Sequence, residues 1–226
     1  MNSFQGIVLR DIRIALRSGG AWLMGLVFFA VFLSMSAIAL GGEFKTLRPL
    51  APALIWLAMV FSLLFSFEHL FSDDASDGSL EHIKLSDTSM NAYVIAKVCA
   101  HWLLSILPLI IALPLAVLLF DLPMPILFGL FISMLIASPA LVCYGAFSGA
   151  CLVGFKGGGF LLVLLTIPLV IPVLIFAVSG ATSFADVGLS GSIFQVLEFQ
   201  ALAGISLIAA AIGIPAAAAA LNVIME

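Results

Sequence analysis

Residues 68–87, EHLFSDDASDGSLEHIKLSD, hold six of the chain's twelve acidic residues and two of its three histidines. Three kinds of chemistry could use such a set. A metal ion could be drawn among His69, His82, Asp73, Asp74, Asp77 and Glu81, with His101 following. The H-E-x-x-H spacing that aims two imidazoles at one zinc from a helix is missing, and no Cys–His set converges. A general acid and base would need two carboxylates closed into a cleft, and nothing in the spacing requires one. The third reading is docking. Asp77-Gly78 reads as a turn, followed by a short helix capped by Ser79. Leu80, Ile83 and Lys84 then fall at i, i+3 and i+4, a small apolar ridge within an acidic collar. The plain alternative is a solvated loop whose charges keep it out of lipid.

The elements that position this stretch follow from composition. The chain has 226 residues, 64% hydrophobic and 9% charged, against roughly 25% charged in soluble proteins. Residues 21–40, 50–67, 102–120, 126–150, 159–180 and 199–225 contain no Asp, Glu, Lys or Arg. Each can supply about 20 helical residues, enough to cross a hydrocarbon core. Inside lipid the backbone must satisfy its own hydrogen bonds, so such runs become helices. The spacing therefore predicts an all-α membrane protein of six spans, near 21–40, 50–71, 93–120, 126–150, 159–180 and 199–222, in a single domain over 1–226. The first run exceeds the apolar core of a signal peptide and reads as a retained span.

Orientation follows from basic residues in the connections. With the N-terminus inside, Arg10, Arg13, Arg17, Lys84, Lys97 and Lys156 are cytoplasmic and only Lys45 and Arg48 are outside. Both termini are then cytoplasmic, and residues 72–91 form a cytoplasmic connection. Residues 3–18 are too polar to span. Their arginines share one helical face and Phe4, Val8, Ile12 and Ala15 another, which predicts an interfacial amphipathic helix. Glu68, at the membrane edge, is placed to pair with Arg10, Arg13 or Arg17.

Other features exclude more than they offer. No charge lies mid-span, so the ionisable carriers of a proton- or ion-coupled transporter have no candidate. GFKGGGF, residues 154–160, lacks the G-x-x-x-x-G-K-[ST] pattern that cradles phosphates and reads as a flexible cytoplasmic turn. Cys99, Cys143 and Cys151 form no Cys-x-x-Cys pair and read as packing residues. Pro108, Pro114, Pro139, Pro168, Pro172 and Pro215 predict kinks within spans. Residues 181–198 are too apolar for a free outer loop and suggest a half-inserted segment.

Three segments in order carry a family resemblance: LFSDDASDGSLEHIKLS (70–86), AKVCAHW (96–102) and GFKGGGFLLVLLTIPLVIPVLIFA (154–177). The chain resembles the CcmB family along essentially its whole length. The first segment is similar to that family's F-x-x-D-x-x-x-G-S-L-E pattern. One departure is Gly157, where the family often has a second basic residue after Lys156. The resemblance implies an ABC-2 type (type V-like) permease of the bacterial inner membrane, acting in cytochrome c maturation. It implies a cytoplasmic ATPase partner (CcmA) that binds ATP, membrane partners CcmC and CcmD, and a haem chaperone, CcmE. A second copy of the chain is a further candidate partner. It also implies a non-catalytic subunit that binds no cofactor or metal itself, with haem as the cargo of the complex. Residues 72–91 become the coupling element, with Asp73, Asp77, Gly78, Leu80, Glu81 and Ile83 as its ATPase-docking residues. The residues alone leave open a permease for another cargo or a non-transporting scaffold.

Overall fold

The computed structural model describes residues 3–18, 21–85, 89–155, 158–188 and 195–224. Expectations resting on residues 86–88, on Lys156 and Gly157, and on residues 189–194 lie outside them. Among the described residues the repeating structure is entirely helical. In chain order the helices are α1 (Ser3–Ser18), α2 (Ala21–Ala39), α3 (Phe44–Phe67), α4 (His69–Ser76), α5 (Ser79–Leu85) and α6 (Met90–His101). A π turn at Trp102–Ile106 follows, then α7 (Leu107–Ala112), α8 (Pro114–Phe120), α9 (Met124–Cys151), α10 (Gly158–Val187) and α11 (Leu197–Ile224).

Among the described residues, five continuous helical stretches are long and apolar enough to cross a membrane: Phe44–Ser76, Met90–Phe120, Met124–Cys151, Gly158–Val187 and Leu197–Ile224. The protein is thus a multi-pass membrane protein. The first expected run forms α2, whose 19 residues include the apolar stretch Leu23–Ala39.

Two boundaries differ from the sequence reading. The second span does not give way to a loop at residue 72, because Glu68 is itself helical (φ −60°, ψ −35°) and α3 runs straight into α4. No glycine or proline interrupts residues 53–77. The Ser72 hydroxyl donates to the Glu68 carbonyl at 2.6 Å and the Ser76 hydroxyl to the Asp73 carbonyl at 2.8 Å, so the polar residues continue the helix. At the other side of the bundle, residues 181–187 continue α10 rather than opening the outer connection.

Of the prolines, the pair in the third span acts most strongly. Pro108 has no N–H to donate and its ring would strike the carbonyl four residues back. That carbonyl belongs to Leu104, inside the π turn. Pro114 opens α8 after a break at Leu113. Pro139, Pro168, Pro172 and Pro215 lie inside unbroken helices.

Helix α9 is the central post, packed against α10, α11 and the end of α3. Lipid offers no hydrophobic drive between helices, so close packing and interhelical hydrogen bonds must hold them. Gly145 makes room for the Phe67 ring, which any side chain there would strike. Ser206 Oγ donates to the Ile136 carbonyl at 2.6 Å, and Trp102 Nε1 donates to Ser138 Oγ at 2.8 Å. At one end of the bundle, Arg48 bonds the Asp121 carbonyl and carboxylate, closing the turn between α8 and α9. At the opposite end a second apolar cluster gathers Leu70, Phe71, Leu80, Tyr93, Val94 and Leu221.

Candidate functional site

The acidic stretch folds as a helical prong with a hooked tip. α4 carries it past the last apolar turn of α3, and a turn at Asp77-Gly78 leads into α5. Gly78 has φ +78°, a left-handed conformation natural to glycine. Asp77 Oδ1 accepts the Ser79 N–H at 2.8 Å. The capping side chain is therefore Asp77, the first residue of the turn, and not Ser79 as its type suggested. Hydrogen bonds from the Ser79 hydroxyl and N–H hold the Asp77 carboxyl below the usual carboxylate range.

The apolar ridge turns inward. Leu80 is 3% exposed and belongs to the same cluster as Leu70, Phe71 and Tyr93, with Ile83 packed against it. These two side chains fasten α5 to its own bundle rather than standing free. Glu81, His82, Lys84 and Leu85 are the exposed residues of α5, Leu85 at 85%. Asp73 is exposed on α4, its carboxylate 3.4 Å from His69 Nδ1 one turn before.

One residue of the prong behaves differently. Asp74 is buried, and it sits in an ion cluster that spacing alone did not reveal. Arg10 Nη2 lies 2.5 Å from Asp74 Oδ1 and 3.2 Å from Asp11 Oδ1. Lys97 Nζ lies 2.9 Å from Asp11 Oδ2 and 3.0 Å from Asp74 Oδ2. The fully buried Tyr93 donates its hydroxyl to Asp74 Oδ2 at 2.6 Å. Two cations meet two carboxylates, so the cluster is balanced, as buried charge must be. Burial opposes the Arg10 charge, but Asp74 and Asp11 outweigh it and raise the guanidinium pKa above its ordinary value. The signal available in sequence was Lys97, a lone cation within AYVIAKVCA, which needs partners where it is buried.

The cluster also sets the roll of α1. Ile7, Val8, Asp11 and Ala15 are half-buried, whereas Phe4, Leu9, Ile14 and Leu16 are exposed, as are Arg13 and Arg17. Of the expected apolar face, Val8, Ile12 and Ala15 are half-buried and Phe4 is exposed; of the expected arginine face, Arg13 and Arg17 are exposed and Arg10 alone turns inward, beside Asp11. Arg10 turns to Asp74 and Asp11, not to Glu68. The Glu68 carboxylate instead lies at the first turn of α10, where a Cβ on Gly159 would sit 2.8 Å from Oε2. A carboxylate at a helix N-terminus is favourably placed against its dipole.

α4 stands between two clefts. One, of about 200 Å³, is bounded by α1, α4 and α6 and lined by Asp11, Asp73, Asp77, Lys97, His101 and Ser105. The other, of about 300 Å³, separates α4 from the α9–α10 turn, with Glu68, Ser72, Phe155 and Gly158 on its walls. His101 is buried, its Nε2 3.2 Å from Ser66 Oγ and its ring 5.2 Å from that of Phe67. His69 and His82 are exposed. Among the described residues no group of three or more His, Cys, Asp or Glu side chains could hold a metal ion. What the geometry offers is mechanical: a charged prong, continuous with one span and hooked against the next.

A profile of the CcmB protein family matches residues 2–224. A heme exporter protein B from Haemophilus influenzae is 43% identical over 176 residues, covering 78% of this chain and 80% of that protein. One from Bradyrhizobium diazoefficiens is 37% identical over 222 residues, 98% of each chain. One from Pseudomonas aeruginosa is 40% identical over 204 residues, 89% of this chain and 91% of its own. With a match over nearly all its length and relatives of this similarity, the chain belongs to the CcmB family.

Proposed function

We propose that this chain is the transmembrane subunit of an ATP-driven ABC-type complex for cytochrome c maturation. In this reading it has six spans in an ABC-2 arrangement, α2 being the first, and lies in the bacterial inner membrane with both termini cytoplasmic. A partner ATPase (CcmA) binds and hydrolyses ATP, and the complex with CcmC and CcmD delivers haem to, and releases it with, the chaperone CcmE. Its relatives' name, heme exporter protein B, supports haem as the cargo.

The observation that carries the reading is the prong. A helix that leaves the apolar zone without a break, turns at Gly78 and is pinned back by Leu80 can convey a push to two spans at once. The docking role now divides. Leu80 and Ile83 hold α5 in place, and Asp77 and Gly78 shape the turn. Glu81 and Leu85, with Asp73 on the prong's flank, meet the ATPase. Interface energy concentrates in apolar anchors, while rim charges set register and encounter rate.

The test is co-purification of the ATPase, with chaperone release measured on the same variants. Leu85→Asp should lower ATPase recovery, and Glu81→Ala should leave assembly but impair release. Wild-type recovery and release in both would overturn the docking assignment and favour a solvated loop. Full release in Glu81→Ala with the ATPase still bound, while Leu85→Asp loses it, would favour a scaffold that needs only assembly.

A further inference from the structure

The ion cluster is larger than a membrane anchor needs. An interfacial helix could hold its place with arginines at headgroups alone. Here α1 instead sends Arg10 and Asp11 inward, to a carboxylate on the prong and an ammonium on α6. Asp74 receives three donors from two other elements: Arg10 from α1, and Lys97 and Tyr93 from α6. Side-chain exposure is 7% for Asp74, 9% for Lys97 and 12% for Asp11. Separating Lys97 from Asp11 or Asp74 would strand a charge away from water, which is far costlier than breaking an exposed ion pair, whereas Arg10, 34% exposed, keeps partial access to solvent. On the opposite flank, between α4 and the α9–α10 turn, the structure has an open cleft.

We infer that Arg10, Asp11, Asp74 and Lys97 are positioning residues of the coupling element, locking α1, α4 and the start of α6 into one body. The inference rests on the docking role proposed for α4 and α5. The N-terminal helix is then a working arm of the machine. A displacement of the prong swings α1 with it, and Lys97, held by carboxylates from both helices, is the pivot.

The test uses the paired change Arg10→Gln with Asp74→Asn, which removes one charge of each sign. It leaves Lys97 and Asp11 paired, so charge balance is kept while α4 is released from α1. Spin labels are placed on exposed positions, one at Leu9 on α1 and one at Ser76 on α4. In the parent chain the distance distribution between them should be narrow and unchanged by ATP in the assembled complex. In the paired variant it should broaden, and chaperone release per ATP hydrolysed should fall about tenfold, the scale of a broken coupling path. The balanced variant Lys97→Met with Asp11→Asn keeps Arg10 on Asp74, so the distribution between α1 and α4 should stay narrow, while release should still fall because α6 is no longer tied to either helix by Lys97. A narrow distribution in the Arg10/Asp74 variant overturns the locking, and a broad one with full release overturns the positioning role. Glu81→Ala and Leu85→Asp serve as controls in the same assay. If they too leave release and ATPase recovery intact, the fault lies with the docking reading rather than with the cluster.

Discussion

At the scale of single residues, the prong depends on side chains whose neighbours reverse the roles their types suggest. Leu80 looked like a surface anchor and is a core residue, while Asp77 caps a turn that Ser79 was expected to cap. Asp77 also gives the tip a pH dependence whose sign can be worked out. Its carboxyl is held below the ordinary carboxylate range by hydrogen bonds that only the folded turn supplies. The turn's added stability is therefore complete above the ordinary value and is lost as pH falls through the lowered folded one. The protection of the Ser79 amide relative to an unstructured amide at the same pH should fall over that acidic window, and Asp77→Asn, which keeps an acceptor without a titration, should flatten the dependence. None of the cluster around Asp74 was legible in this way. Arg10 and Asp74 are 64 positions apart, and pairing over that distance is decided by how α1 rolls on α6. Only Lys97, a cation among apolar neighbours, announced that partners must exist.

At the scale of elements, apolar length was enough to place the helices, since in lipid no other backbone arrangement satisfies such runs. Their ends were not so readable. Asp73 and Asp74 suggested a loop, yet polarity does not stop a helix where serine hydroxyls return to its carbonyls; the stop comes at Gly78. The π turn was foreshadowed only by Pro108. Its wider ring changes the course of the span immediately after His101, where Trp102 reaches Ser138 on α9. The two partners of that bond should respond unequally to truncation. Trp102→Phe leaves Ser138 Oγ still donating to the Leu135 carbonyl at 3.1 Å. The loss should then be about 0.6 kcal/mol, typical of an interhelical hydrogen bond in a membrane. Ser138→Ala strands the indole N–H and should cost about 1–3 kcal/mol. Unfolding in detergent, with the double variant closing the cycle, measures both; equal losses would mean that the bond has no directional role.

At the scale of the whole molecule, the proposed orientation makes a direct prediction. Reporter fusions after Leu47 and Gly188 should signal outside, and fusions after Gly78, Gly158 and Glu226 inside. An outside signal at Gly78 would remove the prong from any cytoplasmic ATPase. The same orientation gives the buried cluster a meaning in time. Arg10 and Asp11 leave the ribosome first, Asp74 much later, and Lys97 only after a further span has begun to emerge. Until then Asp74 sits at the end of a newly inserted helix without its ammonium partner. The stretches Phe44–Ser76 and Met90–Phe120 are joined by a short connection and carry opposite halves of one ion cluster. They are therefore suited to leave the insertion machinery as a hairpin, with Asp74 and Lys97 already matched, and the N-terminal helix, made first, is the last of the three to find its seat.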